Sequence, residues 1–161
     1  MTRVKESNIA VTNIDDLLDG LYRRNMLPVI TDSSGWYKAW YFDLRFREEI
    51  ERSIRYAVPA SLVCIQLRAS PDGVPVRQIL ASSRSLLRST DIGAQLDDDT
   101  IVLCLPHTDS EGASMVIERL VRALADRLPM VGRASYPNDG SDAEALLAMA
   151  FNRATFGPIG A

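Results

Sequence analysis

Leu86-Leu87-Arg88-Ser89-Thr90-Asp91-Ile92-Gly93-Ala94-Gln95-Leu96-Asp97-Asp98-Asp99-Thr100-Ile101-Val102-Leu103-Cys104-Leu105-Pro106 is the stretch that decides how this chain folds. Ile92 to Leu96 suits a short strand, three carboxylates interrupt it, and an apolar run resumes through Leu105. Aspartate accepts bonds from turn amides and tolerates left-handed backbone angles, whereas the flanking β-branched and leucine residues want a pleated, buried surface. The stretch reads as a β-hairpin with its turn at Asp97-Asp98-Asp99, entered from a helix end that carries Arg88.

Before the hairpin, Val76 to Leu87 has helical spacing, with Ile79, Leu80, Ser83, Leu86 and Leu87 as the inward stripe. Ala60 to Leu67 is almost continuously apolar, as a central strand covered on both faces requires. A loop, Thr31-Asp32-Ser33-Ser34-Gly35, precedes a predicted helix from Trp36 to Tyr56, closed by Pro59. Its i,i+4 aromatic pairs are Trp36 with Trp40, Tyr37 with Tyr41, and Phe42 with Phe46. Asn13 can cap a further helix, Ile14 to Met26, with Ile14, Leu17, Leu18, Leu21 and Tyr22 on one face and Pro28 beyond its end; Met1 to Thr12 has no clear period. After the hairpin, Thr108-Asp109-Ser110-Glu111 supplies a cap and an acidic first turn for a helix to Leu128 through Ala113, Val116, Ile117, Leu120, Val121 and Leu124. A strand, Met130 to Tyr136, the turn Pro137-Asn138-Asp139-Gly140 and a helix, Ala143 to Ala154, complete the order, and residues 157–161 read as an unstructured tail.

A chain of 161 residues fits one domain of about 100–200 residues plus an accessory segment. Its 47% hydrophobic and 24% charged residues are ordinary for a globular protein. A net charge of −3 argues against a general binder of nucleic-acid polymers or anionic membranes. Yet 16 of the 18 basic residues are arginine, whose planar fork suits local anionic ligands. No apolar run reaches the 18 or so residues that span a bilayer, and Met1 to Glu6 has no secretion-signal core, so a cytoplasmic location is expected. Cys64 and Cys104 fall inside predicted strands, where a reduced thiol acts as a small hydrophobe; without a partner cluster they mark neither a metal nor a disulfide site.

Helix, helix, strand, helix, hairpin, helix, strand, helix is an order that builds an α/β fold, an α+β sandwich whose central sheet holds the hairpin and is covered by helices. From Thr31 to Ala154 the chain resembles the GGDEF domain of diguanylate cyclases in a degenerate form. Thr31-Asp32-Ser33-Ser34-Gly35 stands at the family's opening loop, and Tyr41-Phe42 with Glu48-Glu49-Ile50-Glu51-Arg52 at its first helix. Ser61 to Leu67 matches the first strand, and Asp97-Asp98-Asp99-Thr100-Ile101 occupies the signature turn. Glu118-Arg119, Ala134-Ser135-Tyr136-Pro137 and Asp139-Gly140-Ser141-Asp142-Ala143 follow in order. Asp16-Leu17-Leu18-Asp19-Gly20 imitates the opening loop but lies 46 residues before Leu62, against the 30 that separate Asp32 from Leu62. Residues 31–156 are therefore read as the domain, residues 1–30 as a tail and accessory helix.

The resemblance implies a site for joining two GTP molecules, with Mg²⁺ or Mn²⁺ held between a carboxylate at the end of the first strand and one in the turn. Here the strand position is Gln66, whose neutral amide is a poor ligand for a hard divalent ion. The two signature glycines are replaced by Asp97 and Asp98, which add bulk and negative charge where a triphosphate would lie. Asp99 keeps the acidic position, Thr100 replaces the glutamate beside it, and only eight residues, Arg68 to Pro75, join Leu67 to Val76. A solvated turn with no metal and no catalytic residue is the expectation, and the chain is not expected to be an enzyme.

The family also binds its product, cyclic di-GMP, at an Arg-x-x-Asp motif five residues ahead of the turn; Arg88 and Asp91 occupy that place. A chain of this composition yields roughly one such match by chance, and this is the only one, so position gives it weight. Arginine can donate two parallel bonds to guanine O6 and N7 while a carboxylate accepts from N1–H and N2–H, each good pair being worth about 1–3 kcal/mol. Arg119 matches the position that completes the site from the same or a facing subunit, and Arg84, one turn before Arg88, is a further candidate contact. The competing reading of Arg88 and Asp91 is a surface salt bridge, and of Arg119 a solvated helix residue. His107 has no catalytic partner that sequence can identify. The expected function is an inactive receptor for cyclic di-GMP, with no resident cofactor, that signals to a protein effector; a homodimer is compatible with it. The alternative is a nucleotide-independent interaction or dimerisation module.

Overall fold

The structure, a computed structural model, describes residues 30–68 and 75–156. The predicted helix Ile14–Met26, both tails and most of the Arg68–Pro75 connection lie outside the described residues.

Strand β1, Ala60–Gln66, is fully buried except at Gln66, and its alternating side chains feed two separate cores. Leu62 and Cys64 join one; Val63 and Ile65 join the other. β2, Ile92–Gln95, and β3, Thr100–Pro106, form the hairpin, and β4, Met130–Tyr136, pairs on the far side of β1. The sheet order is β2-β3-β1-β4, antiparallel throughout, with Cys64 opposite Val102 on β3 and Gly132 on β4. Helices α1, Ala39–Tyr56, and α4, Ala143–Phe156, cover the first core through Phe42, Phe46, Ile50, Leu146 and Ala150. Helices α2, Val76–Ser83, and α3, Ser110–Ala123, cover the second through Val76, Leu80, Ala113, Val116 and Leu120. This is the predicted α+β sandwich. Among the described residues no helix is long and apolar enough to cross a membrane.

Two of the helices are capped by aspartate side chains. Asp109 accepts from the Gly112 amide at 2.9 Å at the start of α3, and Asp142 accepts from the Ala145 amide at 2.8 Å at the start of α4. Gly132 lets the backbone of α4 lie directly on β4: a Cβ there would stand 1.9 Å from the Ala150 carbonyl oxygen. Both cysteines are free and buried, and burial raises their thiol pKa values, that of Cys64 to about 12.

Three predicted elements need correction. Trp36 does not begin the first helix and does not pair with Trp40. The Asp32 carboxylate accepts from the Ser34 amide and hydroxyl, Gly35 turns at φ +83°, and the chain stays extended through Lys38 before α1 starts. Trp36 is thereby carried to the opposite core, where its ring lies on Gly93 and its indole N–H donates to the Leu80 carbonyl at 2.8 Å. The helix predicted to Leu87 ends at Ser83 and tightens into a 3₁₀ turn, Arg84–Leu86, because the Ser82 and Ser83 hydroxyls both donate to the Ile79 carbonyl. The helix predicted to Leu128 ends at Ala123, followed by a 3₁₀ turn, Ala125–Arg127, and a left-handed Leu128.

Candidate functional site

The 3₁₀ turn delivers Arg88 to the head of β2, where a small closed loop forms. The Arg88 amide donates to Asp91 Oδ2 at 2.9 Å, and the Asp91 amide donates back to the Arg88 carbonyl at 3.1 Å. Asp91 is only 2% exposed, while Arg88 is exposed. Burial raises the Asp91 pKa, against the Arg88 amide bond and the positive charges of Arg88, Arg84 and Arg119. Among the described residues no ion pair joins the Arg88 guanidinium to this carboxylate, so the surface salt bridge gives way to a backbone cap.

Beside the loop lies a cavity of about 450 Å³, lined by Arg88 and Asp91, by Arg45, Glu49 and Arg52 of α1, and by His107. Its volume falls within the range of about 300–1,000 Å³ of small-molecule sites. Three guanidiniums and two carboxylates face it, leaving a positive balance. Glu49 is buried and accepts from Arg52 Nη1 at 2.9 Å and Arg45 Nη2 at 3.4 Å. Each guanidinium carries five N–H donors, so both keep donors beyond those spent on Glu49.

The expected residues are thus only partly assembled. Arg88 and Asp91 enter one cavity; Arg84 and Arg119 stand outside its lining, near enough for their charges to act on Asp91. Arg119 is exposed on α3, its Nε donating to the Met115 carbonyl at 3.4 Å. Sequence reading missed Arg45, Glu49 and Arg52. Their spacing of four and three residues puts all of them on one helical face, and a carboxylate between two arginines was the available signal.

The signature turn is built differently. Asp97 accepts from the Asp99 amide at 2.8 Å, and Asp97, Asp98 and Asp99 are exposed. Gln66 pairs in register with the buried Thr100, and the Leu67 amide donates to the Asp99 carbonyl at 2.7 Å. Buried Arg127 donates through Nε to the Arg68 carbonyl at 2.6 Å and places Nη2 3.9 Å from Asp99 Oδ1. The strand end offers a neutral amide, and among the described residues the cation paired with the turn carboxylate is this guanidinium. That donor set does not fit a divalent metal, and among the described residues no group of three metal-ligating side chains occurs.

No protein-family profile matches the sequence, and no curated protein matches it. Solved structures do. The GGDEF domain of FimX from Pseudomonas aeruginosa superimposes with a TM-score of 0.69 at 17% identity over 80% of this chain and 93% of that one. A sensory box/GGDEF family protein from Caulobacter crescentus gives 0.66 at 22% identity over 80% and 99%. The GGDEF domain of DgcB from Caulobacter crescentus, in complex with c-di-GMP, gives 0.69 at 10% identity over 79% and 88%. Strand order, hairpin and helical layers together with these superpositions show that the chain has the diguanylate-cyclase fold of GGDEF domains.

Proposed function

We propose that this chain is a catalytically inactive GGDEF-like domain that binds cyclic di-GMP beside Arg88 and Asp91 in the cytoplasm and passes occupancy to a protein effector. The observation that carries the reading is the cavity of about 450 Å³ that joins the Arg88 loop to the arginines of α1. Among the described residues no bond engages the Arg88 guanidinium or Asp91 Oδ1, which leaves the first to pair with guanine O6 and N7 and the second to accept from N1–H or N2–H. Arg45 and Arg52 supply charge for the phosphodiesters; Arg119 and Arg84, the further contacts expected from sequence, act from outside the cavity wall. The inactivity half of the proposal rests on Gln66, on Asp97 and Asp98 in place of glycines, and on Arg127 beside Asp99.

Calorimetry with cyclic di-GMP tests the binding half. A Kd of about 1 μM or tighter, near −8 kcal/mol, is expected, weakened by about 1–3 kcal/mol in Arg88→Ala. No heat at millimolar ligand would remove the receptor reading. Incubation with GTP and Mn²⁺ tests the other half, and detectable cyclic product would overturn it. A second reading, an interaction module working without nucleotide, is favoured by Trp40 and Leu44, one turn apart on α1 and 53% and 48% exposed. Sedimentation of the chain and of Trp40→Ser decides whether that stripe holds a dimer.

A further inference from the structure

At the edge of the sheet opposite the Arg88 cavity, β4 has β1 on one side and, among the described residues, no strand on the other. The direction of its backbone groups can be read from their bonds. The Arg133 carbonyl accepts from Arg153 Nη1 at 2.6 Å, and the Ser135 amide donates to Asp139 Oδ2 at 2.8 Å, so residues 133 and 135 face away from β1. The Leu67 amide, which donates toward β3, fixes the same phase from the other side of the sheet. Alternation then turns Val131 outward as well. The Asp139 loop covers the Ser135 end. Among the described residues nothing accepts from the Val131 and Arg133 amides or donates to the Val131 carbonyl on this edge.

The exposed edge is the floor of a groove of about 570 Å³ between α3 and α4, where Ile117 and Val131 are the apolar lining. Each wall carries a guanidinium. Arg153 is committed to the Arg133 carbonyl and, at 3.0 Å, to Asp139. Arg133 donates through Nη1 to the Ser110 carbonyl at 3.0 Å and to the Ser114 hydroxyl, which leaves Nε and Nη2 without a partner among the described residues. Two arginines against one aspartate give the groove a net positive charge.

We infer that this groove accepts an extended acidic segment of a partner protein, added as a strand to β4, with one aliphatic side chain against Ile117 and Val131 and one carboxylate on Arg133. Main-chain bonds to Val131 and Arg133 supply the pairing and the charge selects the segment. A second copy docking through its own β4 would bring Arg133 and Arg153 onto a positive groove, and residues 157–161 contain no acidic side chain. The surface works independently of nucleotide, so its failure and that of the receptor reading are separable.

The test uses the full ¹⁵N-labelled chain and a blocked six-residue peptide, threonine-glutamate-threonine-valine-threonine-glutamate, whose valine and glutamates share one face at two-residue spacing as Val131 and Arg133 do. Saturable shifts and slowed hydrogen exchange at the Val131 and Arg133 amides are expected, with a Kd below about 1 mM. The same peptide with lysine in place of glutamate should bind at least about tenfold more weakly, a loss of about 1.4 kcal/mol. Val131→Pro removes only an outward amide and should abolish binding; Arg133→Met, which leaves the backbone intact, should weaken it by a similar tenfold. Absence of shifts at these amides, equal affinity for the lysine peptide, or undiminished binding by a folded Val131→Pro chain would each overturn the inference.

Discussion

Replacing Asp91 separates what its carboxylate does for the loop from what it does for a ligand. In the structure the side chain is buried and Oδ2 accepts from the Arg88 amide at 2.9 Å. Asn in its place keeps an oxygen that accepts the same bond and removes a charge whose burial is unfavourable, so stability should change by less than about 0.5 kcal/mol. Ala leaves the Arg88 amide without its acceptor, which costs about 1–3 kcal/mol. Both variants lose the anionic acceptor for guanine N1–H and N2–H, weakening cyclic di-GMP by about 1–3 kcal/mol, or roughly 5- to 150-fold. Urea denaturation should therefore rank wild type and Asp91→Asn together above Asp91→Ala, while calorimetry ranks wild type above both. Wild-type affinity in Asp91→Asn, or equal destabilisation by Asn and Ala, would refute the reasoning.

The remaining predictions concern acid and packing. Burial raises the Asp91 pKa, so protonation begins above the ordinary carboxylate value of about 3.9 and acid should weaken cyclic di-GMP binding there; because the raised pKa favours the protonated folded state, acid does not weaken the fold through this group. Asp139 has the opposite sign: burial opposes its charge, but the Arg153 bond, the Ser135 amide and the charges of Arg153 and Arg133 outweigh it and hold its pKa below the usual value. Its stabilisation is complete above about pH 3.9 and is lost as pH falls through the folded value, so Asp139→Asn should cost about 1–2 kcal/mol at neutral pH and flatten the acid limb of a urea stability profile. Gly132→Ala would place a methyl group 1.9 Å from the Ala150 carbonyl oxygen and 2.4 Å from the Ala154 amide nitrogen, so α4 must retreat. Thermal unfolding should report a loss of about 1–3 kcal/mol or more, and an unchanged midpoint would show that α4 does not rest on β4 as described.

The sheet and its two helical layers were legible because they rest on local patterns. A run such as Ser61 to Leu67 has few alternatives to a doubly covered strand, and three aspartates between apolar runs force a turn. Trp36 was misplaced because an i,i+4 aromatic pattern is blind to the turn at Gly35 that carries the ring across the sheet. In the candidate site, Arg88 and Asp91 were legible through a motif, whereas Arg45, Glu49 and Arg52 belong to no motif and meet the Arg88 loop only across the fold. Glu49 lines the same cavity as Pro106 and His107, a neighbourhood that helical periodicity does not encode. Arg127 escaped for the same reason: its partner Arg68 is 59 residues away.

The Glu49 clamp also bears on how occupancy could reach a partner. A ligand changes a protein's conformational balance only as far as it binds one arrangement better than another. Arg52 is half in solvent and bonded to buried Glu49 at 2.9 Å; if a phosphodiester draws that guanidinium into the cavity, Glu49 loses a partner and α1 feels the exchange. Part of the binding energy is then spent on opening the clamp. Glu49→Gln removes the carboxylate shared by both arginines, leaving Arg45 its pair with Glu48 at 3.3 Å, and binding of cyclic di-GMP should tighten by up to about 1 kcal/mol, roughly fivefold, the scale of one partly exposed ion pair. The Arg52→Ala chain should bind more weakly, and Glu49→Gln added to it should recover less than it does in the wild type, because only Arg45 remains to be released. Weaker binding by Glu49→Gln at unchanged fold stability would mean that the clamp positions the arginines for the ligand instead of competing with it, and coupling through α1 would have to be abandoned.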